Sequence, residues 1–272
     1  MEMAISREPK SASWRALQEL RCLESFPSPR SIFWCLTRLA LVLFSVSILS
    51  VCGEESDRAK VVEKRIEKEL KEALGDKGLS YGSPVFIRIF KEERELELWV
   101  RGEEGKFALF RTYPVAGMSG TLGPKLAEGD GQAPEGFYFV PESALHPKSN
   151  YHLAFNIGFP NRYDRSHERT GSFIMVHGSD LSIGCFAMTD EKIEEIYTLA
   201  AVALREGQPF FRVHIFPFRM TEERMKKAED DQAEWFEFWE NLAEGYRFFE
   251  EEKRPPNVEV EEKHYLFEES EG

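Results

Sequence analysis

The spacing of the apolar residues changes at Gly75, and this change restricts the folds that are open to the chain. Upstream of Gly75, apolar residues recur at intervals of three and four: Ala59, Val62, Ile66, Leu70 and Leu74. This spacing predicts an amphipathic helix whose other face, rich in Glu and Lys, is solvated. Downstream, short apolar segments are separated by polar turns, which predicts a β-meander with strands near residues 85–90, 95–102 and 106–115.

Strand-like segments continue as far as residue 218, so the sequence predicts a mainly β (α+β) domain over residues 83–218. Residues 54–82 hold the N-terminal helix, and residues 219–272 form a helical extension and an acidic tail that is expected to be loose. The Gly- and Pro-rich stretch 117–136 has no periodicity and predicts a long loop. Helical spacing returns after Thr189, the expected N-cap, and in a final stripe of large apolar residues: Trp235, Trp239, Leu242, Tyr246 and Phe249.

The first 53 residues differ from the rest of the chain. An uncharged apolar run, Leu39–Val51, follows Arg30 and Arg38 and is shorter than the ~20 residues needed to span a bilayer. It fits a secretory signal that is cleaved after Gly53. Lipidation of Cys52 and retention as an uncleaved anchor are the alternatives. All three predict export to the periplasm or cell envelope, with the membrane contacted only through this segment.

Charge and cysteine content narrow the functional classes further. The net charge is −13, which argues against nucleic acid as a partner because acidic surfaces repel phosphates. Cleavage after Gly53 would remove Cys22, Cys35 and Cys52 and leave Cys185 as the remaining cysteine. One cysteine cannot form an internal disulfide, so Cys185 is either a small buried hydrophobic residue or a reactive thiol.

The stretch from His177 to Cys185 contains the parts that a thiol nucleophile needs. His177 could act as the base, and the carbonyl of Gly178 could fix the imidazole tautomer. Ser182 and the backbone at Gly184 could meet a developing oxyanion. A helix that begins just after Cys185 would favour the thiolate through its positive terminus.

The same residues could instead be part of a metal site, with His167 and Asp180 as further ligands. Zinc normally takes three or four protein ligands, and the sequence has no CxxC or HxxxH spacing. We therefore expect neither a metal nor a cofactor.

The motif formed by His177, Gly178, Ser182, Gly184 and Cys185 resembles the HG…SxGC active-site motif of the YkuD-type L,D-transpeptidase domain. TLGPKLAEGDGQAPEGFY is similar to a glycine-rich segment of that family. Four further segments resemble the YafK-type branch: VFIRIFKEERELELWV, FNIGFPNRYDRSHERTGSFIMVHG, SIGCFAMTDEKIEEIY and FWENLAEGYRFFE. The resemblance covers residues 80–265 and implies a sandwich-like or barrel-like β domain.

The resemblance also implies a reaction and its participants. Cys185 would be the nucleophile, His177 the base and Gly178 the residue that orients it, while Ser182 and Gly184 would line the oxyanion region. The substrate would be a peptidoglycan stem peptide, attacked at the L-centre of meso-diaminopimelate. An amine acceptor would give transpeptidation, and water would give hydrolysis.

Two features depart from the family pattern. The loop between His177 and Ser182 is short, and Phe186-Ala187 stands where many members have a hydrophobic residue followed by Arg. The missing Arg leaves open how a substrate carboxylate is held. Hydrolysis of a diaminopimelate linkage is then as plausible as cross-linking, including the release of a lipoprotein joined to the wall.

Four further residues are candidates for substrate binding: His152, Tyr163, Asp164 and Arg169. His152 falls on a predicted strand, where a structural histidine is the alternative. Arg169 could replace the missing Arg.

Two other functional classes are alternatives to an acyl-transfer enzyme. The first is a catalytically silent, peptidoglycan-binding scaffold, against which the intact motif argues. The second is a thiol peroxidase or redox sensor, which normally needs a resolving cysteine.

Overall fold

The computed structural model describes residues 58–269, which form an α+β fold. The strands are β1 (Val85–Phe90), β2 (Glu95–Arg101), β3 (Phe107–Pro114), β4 (Gly136–Pro141), β5 (Leu145–His146), β6 (Ala154–Asn156), β7 (Met175–His177), β8 (Phe186–Ala187), β9 (Phe210–Phe216), β10 (Asn257–Glu261) and β11 (His264–Glu268). The helices are α1 (Arg58–Gly75), α2 (Arg162–Ser166), α3 (Asp190–Arg205), α4 (Glu222–Asp230) and α5 (Phe236–Glu252), with a 3₁₀ turn at Glu142–Ala144.

The strands form two sheets and a hairpin. The five-stranded sheet has the order β3-β2-β1-β9-β4, in which only the central pair β1–β9 is parallel. The four-stranded sheet has the order β5-β6-β7-β8, and its last pair is parallel. Strands β10 and β11 form an antiparallel hairpin. The candidate motif lies on and just beyond β7 and β8.

Strand β1 is buried on both of its faces, which explains its almost continuous apolar sequence. Val85, Ile87 and Ile89 belong to the large core cluster, which includes residues of α1 and α3. Phe86 and Phe90 point to the opposite face, where they meet aromatic side chains of α5.

A buried ion pair lies within this second, aromatic face. Arg88 donates two hydrogen bonds to Glu97 Oε2, at 2.9 and 2.8 Å, and a third to Glu250 on α5. Trp99 Nε1 and Arg219 also donate to Glu97. The charges are tolerated because each carboxylate oxygen has a partner, as burial of an ion pair requires.

The structure confirms some sequence expectations about the elements and corrects others. The helix upstream of Gly75 is present, and Thr221 caps α4 by accepting a hydrogen bond from Arg224 N. His152, expected on a strand, instead precedes β6 and has a φ of 67°. The tail, expected to be loose, forms the β10–β11 hairpin because Tyr265 is buried against the aromatic side of the sheet.

Among residues 58–269, no helix combines the length and apolar character needed to cross a membrane. The segment Leu39–Val51 and its predicted processing lie outside the described residues.

We predict that Asn241→Ala lowers the free energy of unfolding by about 2 kcal/mol. The buried Asn241 amide accepts from Tyr265 N at 2.8 Å and donates to Tyr265 O at 2.9 Å, so its loss leaves both hairpin groups unpaired. Urea denaturation measures the change, and Arg247→Ala, at an exposed position of the same helix, is the control. Equal stability of the two variants would contradict the anchoring role of Asn241.

Candidate active site

His177 ends β7 and is buried, with 3% of its surface exposed. Its Nδ1 lies 2.6 Å from the carbonyl oxygen of Gly178. A carbonyl can only accept, so Nδ1 carries the proton and Nε2 is the basic nitrogen. Burial lowers the pKa of His177, and the hydrogen bond to Gly178 partly opposes this shift. The imidazole is therefore neutral at pH 7 and able to accept a proton.

Gly178 is a glycine because nothing larger fits beside the imidazole. A Cβ at this position would lie 2.5 Å from Asp190 Oδ1 and 2.7 Å from the carbonyl of Tyr151. The Gly178 N–H donates to the carbonyls of Tyr151 and Leu153 at 3.0 and 3.1 Å. These contacts hold the peptide whose carbonyl accepts the hydrogen bond from His177 Nδ1.

Cys185 is partly buried and lies directly before β8. Its sulfur accepts a hydrogen bond from Met175 N at 3.3 Å and donates toward Phe173 O at 3.6 Å. Burial raises the pKa of Cys185, against smaller opposing effects of the Met175 N–H, the Ser182 hydroxyl and the charge of Lys125. The resting group is therefore a thiol rather than a thiolate.

The expected stabilisation of a thiolate by a helix terminus is wrong. Strand β8 separates Cys185 from α3, which begins only at Asp190. Thr189 occupies the N-cap position, but its φ is 69° and its side chain makes no capping hydrogen bond. The first turn instead presents Asp190, whose carboxylate accepts from Ser179 N at 2.8 Å.

Ser182 acts on both His177 and Cys185. Its hydroxyl is 3.3 Å from Nε2 of His177, and the same hydroxyl lowers the pKa of the Cys185 thiol, against the larger effect of burial.

Gly184 has a φ of 77°, in the region that favours glycine. Its N–H donates to Ser119 Oγ at 2.8 Å. This amide, expected to face an oxyanion, thus has a partner in the glycine-rich loop, which places that loop directly against the cysteine.

A small cavity of about 150 Å³ adjoins Cys185 and is lined by Lys125, Gly131, Phe173 and Ile183, among others. Lys125 Nζ donates to Asp130 Oδ1 at 2.5 Å and to Ala127 O at 2.8 Å. Burial works to raise the pKa of Asp130, but its hydrogen bonds, led by the Ala127 N–H and Lys125, lower it to about 2. Asp130 is therefore ionised and holds Lys125 beside the cavity, where Lys125 acts to lower the pKa of the Cys185 thiol.

The glycine-rich loop is itself tied to the sheet by a buried carboxylate. Glu135 is fully buried and accepts from Lys91 Nζ at 2.9 Å, Gly123 N at 2.7 Å and Trp239 Nε1 at 2.8 Å. Burial lowers the pKa of Lys91, and the charge of Glu135 opposes this shift.

The four residues predicted to bind substrate lie in two places. His152 Nε2 is 2.8 Å from Glu194 Oε1, and its loop touches Gly178. Tyr163, Asp164 and Arg169 are buried together on and after α2, where Arg169 donates to Asp164 at 3.0 Å. Tyr138 and Asn161 complete that group, so its evident role is to hold the loop leading into β7. Their substrate contact stays a prediction.

Three residues at the site were not predicted from the sequence. Tyr151 is 55% exposed, and its ring centroid lies 4.9 Å from that of His177. From the glycine-rich loop, Ser119 accepts a hydrogen bond from Gly184 N, and Lys125 lines the cavity beside Cys185. Lys125 stood within a matched segment, but no spacing rule indicated Ser119 or Tyr151.

No group of three or more His, Cys, Asp or Glu side chains within residues 58–269 is arranged to hold a metal ion.

We predict that alkylation of Cys185 by iodoacetamide has a pH midpoint above that of free cysteine, which is about 8.5. The sign follows from the raised pKa of Cys185, since a higher pH is needed to form the reactive thiolate. The rate constant is measured against pH by mass spectrometry of the Cys185 peptide. A midpoint below that of free cysteine would instead indicate a resting thiolate–imidazolium pair.

The family model for the L,D-transpeptidase catalytic domain, YkuD, matches residues 84–215. The Escherichia coli K12 protein YafK, named for the L,D-transpeptidases, is 43% identical over 229 residues, covering 84% of this chain and 87% of YafK. Its counterpart in E. coli O157:H7 matches equally.

Two solved structures show a weaker likeness. The helical cell shape determining protein Pgp2 of Campylobacter jejuni is 19% identical with a TM-score of 0.39, covering 71% of this chain and 80% of Pgp2. Bd1075 of Bdellovibrio bacteriovorus is 23% identical with a TM-score of 0.37, covering 61% and 62%. Assignment therefore depends on the family model and on YafK, and by these the chain belongs to the YkuD family of L,D-transpeptidase catalytic domains.

Proposed function

We propose that the protein is a cysteine-dependent acyl-transfer enzyme that acts on peptidoglycan stem peptides at the L-centre of meso-diaminopimelate. The observation that carries the proposal is the Ser182 hydroxyl, which lies 3.3 Å from Nε2 of His177 and also lowers the pKa of the Cys185 thiol. Family membership supports the substrate class.

The neutral resting pair defines the first step. The thiol of Cys185 gives its proton to the Ser182 hydroxyl as that hydroxyl gives its own to Nε2 of His177. The sulfur attacks the carbonyl carbon, and the imidazolium returns the proton to the leaving amine as the C–N bond breaks. A thioester remains, and an amine or water resolves it to an amide or a carboxylate while the thiol is regenerated.

Ala187 explains why this chain lacks the family's Arg after the cysteine. Ala187 is fully buried in β8, where it exchanges backbone hydrogen bonds with Gly117. Its Cβ lies 3.2 Å from the position a Cβ on Gly117 would take. A long charged side chain has no room there, so Lys125 is the nearest described cation that acts on the thiol.

A specific observation favours hydrolysis that releases a wall-linked lipoprotein as the second candidate. Phe173, Leu181 and Ile183 flank the cysteine and are 67%, 77% and 83% exposed. A polar stem peptide alone has little use for such a surface, whereas a polypeptide leaving group could cover it.

The proposal requires the catalytic domain to lie outside the cytoplasm. The predicted export segment Leu39–Val51 supports a periplasmic or cell-envelope location.

Incubation of purified sacculi with the protein tests the proposal. Mass spectrometry of the wall fragments should show a change that Cys185→Ala abolishes. New 3–3 cross-linked dimers would identify a transpeptidase, and tripeptide ends or freed lipoprotein a hydrolase. Identical fragments from active and mutant protein would favour the silent peptidoglycan-binding scaffold.

We predict that Ser182→Ala slows acylation roughly 100-fold with little change in KM, because the proton path between sulfur and imidazole is lost. Pre-steady-state formation of the thioester is followed by mass spectrometry. Ser182→Thr keeps the hydroxyl and should retain most activity. Ser179→Ala, in the same loop, is the control, and equal losses in the two alanine variants would contradict the relay.

A further inference from the structure

The loop 149–153 touches both His177 and Gly178, although it lies outside the sequence motif. Its Tyr151 carbonyl accepts from Gly178 N, and the Tyr151 ring packs on the imidazole. The Cβ of His152 lies 2.9 Å from the position that a Cβ on Gly178 would take. Any displacement of this loop therefore moves the peptide that orients the base.

His152 gives the loop a conformation that needs external support. Its φ of 67° is in the left-handed region, which is unfavourable for a residue with a side chain. Such a conformation persists when surrounding contacts determine it. The contacts of His152 therefore decide whether the loop stays against Gly178.

Two helices supply those contacts. Glu194 on α3 binds His152 Nε2 through Oε1 at 2.8 Å, and its other oxygen accepts from Arg65 on α1. Arg58, also on α1, donates to the carbonyls of Ser149 and His152. The Glu194 side chain is only 12% exposed, whereas that of Arg65 is 58% exposed, so the carboxylate that binds both partners is the shielded member of the group.

We propose that Arg65, Glu194 and His152 are positioning residues that hold loop 149–153 against Gly178 and so set the orientation of His177. Helix α1, which precedes the residues matched by the family model, is then part of the catalytic apparatus. The inference rests on the proposed function of His177 and Cys185. None of the three residues need touch the substrate.

A purely structural role would give a different result, and the neighbouring residue provides a matched comparison. Glu195, next to Glu194 on α3, pairs with Arg111 at 2.5 Å and accepts from Tyr113 at 2.8 Å, both on β3. Glu194→Ala and Glu195→Ala thus each remove one partly buried carboxylate and its ion pair from the same helix.

We expect Glu194→Ala to lower kcat for release of stem-peptide fragments roughly 10-fold or more with KM unchanged. Glu195→Ala should leave kcat within about twofold of the wild type at a similar loss of thermal stability. Arg65→Lys, which keeps the charge, should recover more of kcat than Arg65→Ala. Equal losses of kcat for Glu194→Ala and Glu195→Ala would overturn the proposal.

A proton NMR measurement tests the positioning without turnover. The Nδ1–H of His177, at 2.6 Å from Gly178 O, should give a downfield signal that is absent in His177→Gln. This signal should shift or broaden in Glu194→Ala and remain in Glu195→Ala. An unchanged signal in Glu194→Ala would overturn the inference, whereas wild-type protein that shows the signal but leaves sacculi unchanged would refute only the proposed function.

Discussion

The buried ion pair between Lys91 and Glu135 is the interaction on which the geometry of the cysteine depends. Lys91 follows β1, and Glu135 precedes β4, so the pair joins the five-stranded sheet to the end of the glycine-rich loop. Trp239 of α5 binds the same carboxylate. Removing one member of such a pair leaves an uncompensated buried charge, at a cost of about 3–5 kcal/mol. The pair therefore constrains a segment that has almost no regular structure of its own, and that segment carries the Ser119 contact to Gly184.

Two sets of contacts hold the reactive groups from opposite sides. The glycine-rich loop fixes the cysteine through Ser119 and the cavity at Lys125, while loop 149–153 fixes the imidazole through Gly178. Burial disfavours the charged forms of both His177 and Cys185, so the resting state stores neither a thiolate nor an imidazolium. The site avoids the cost of a buried charge pair at rest. In the proposed reaction, charge develops only when a substrate carbonyl is present to accept it, so acylation depends on proton transfer through Ser182.

The parts of the fold that follow from local pattern were predictable, and those that depend on distant pairing were not. The apolar run of β1 predicted a strand because a strand that is buried on both faces has apolar residues at successive positions. The spacing before Gly75 predicted a helix because a helix that is buried along one stripe has apolar residues at every third or fourth position. The order of His177, Gly178 and Cys185 indicated a candidate site only through the family resemblance, because spacing alone also allowed a partial metal site. The helix terminus expected beside Cys185 failed because residues 186–187 pair in parallel with β7, a long-range contact without a local signal. The buried group of Asp164 and Arg169 was invisible for the same reason.

The polar face of α1 shows why a local pattern can hide a function. Its Glu and Lys residues were interpreted as a solvated surface, and Lys68 and Glu72 do form an exposed pair along the helix. Arg65 stands in the same charged run, yet it reaches a carboxylate on α3 that is largely shielded from water. The spacing of charges along α1 cannot distinguish an exposed pair within the helix from a pair with a shielded partner. The exposure of the partner is set by the neighbouring helix rather than by the helix that bears the charge. Arg65 differs from Lys68 in the contacts of its partner. Glu194 also binds His152, whose Cβ lies close to Gly178.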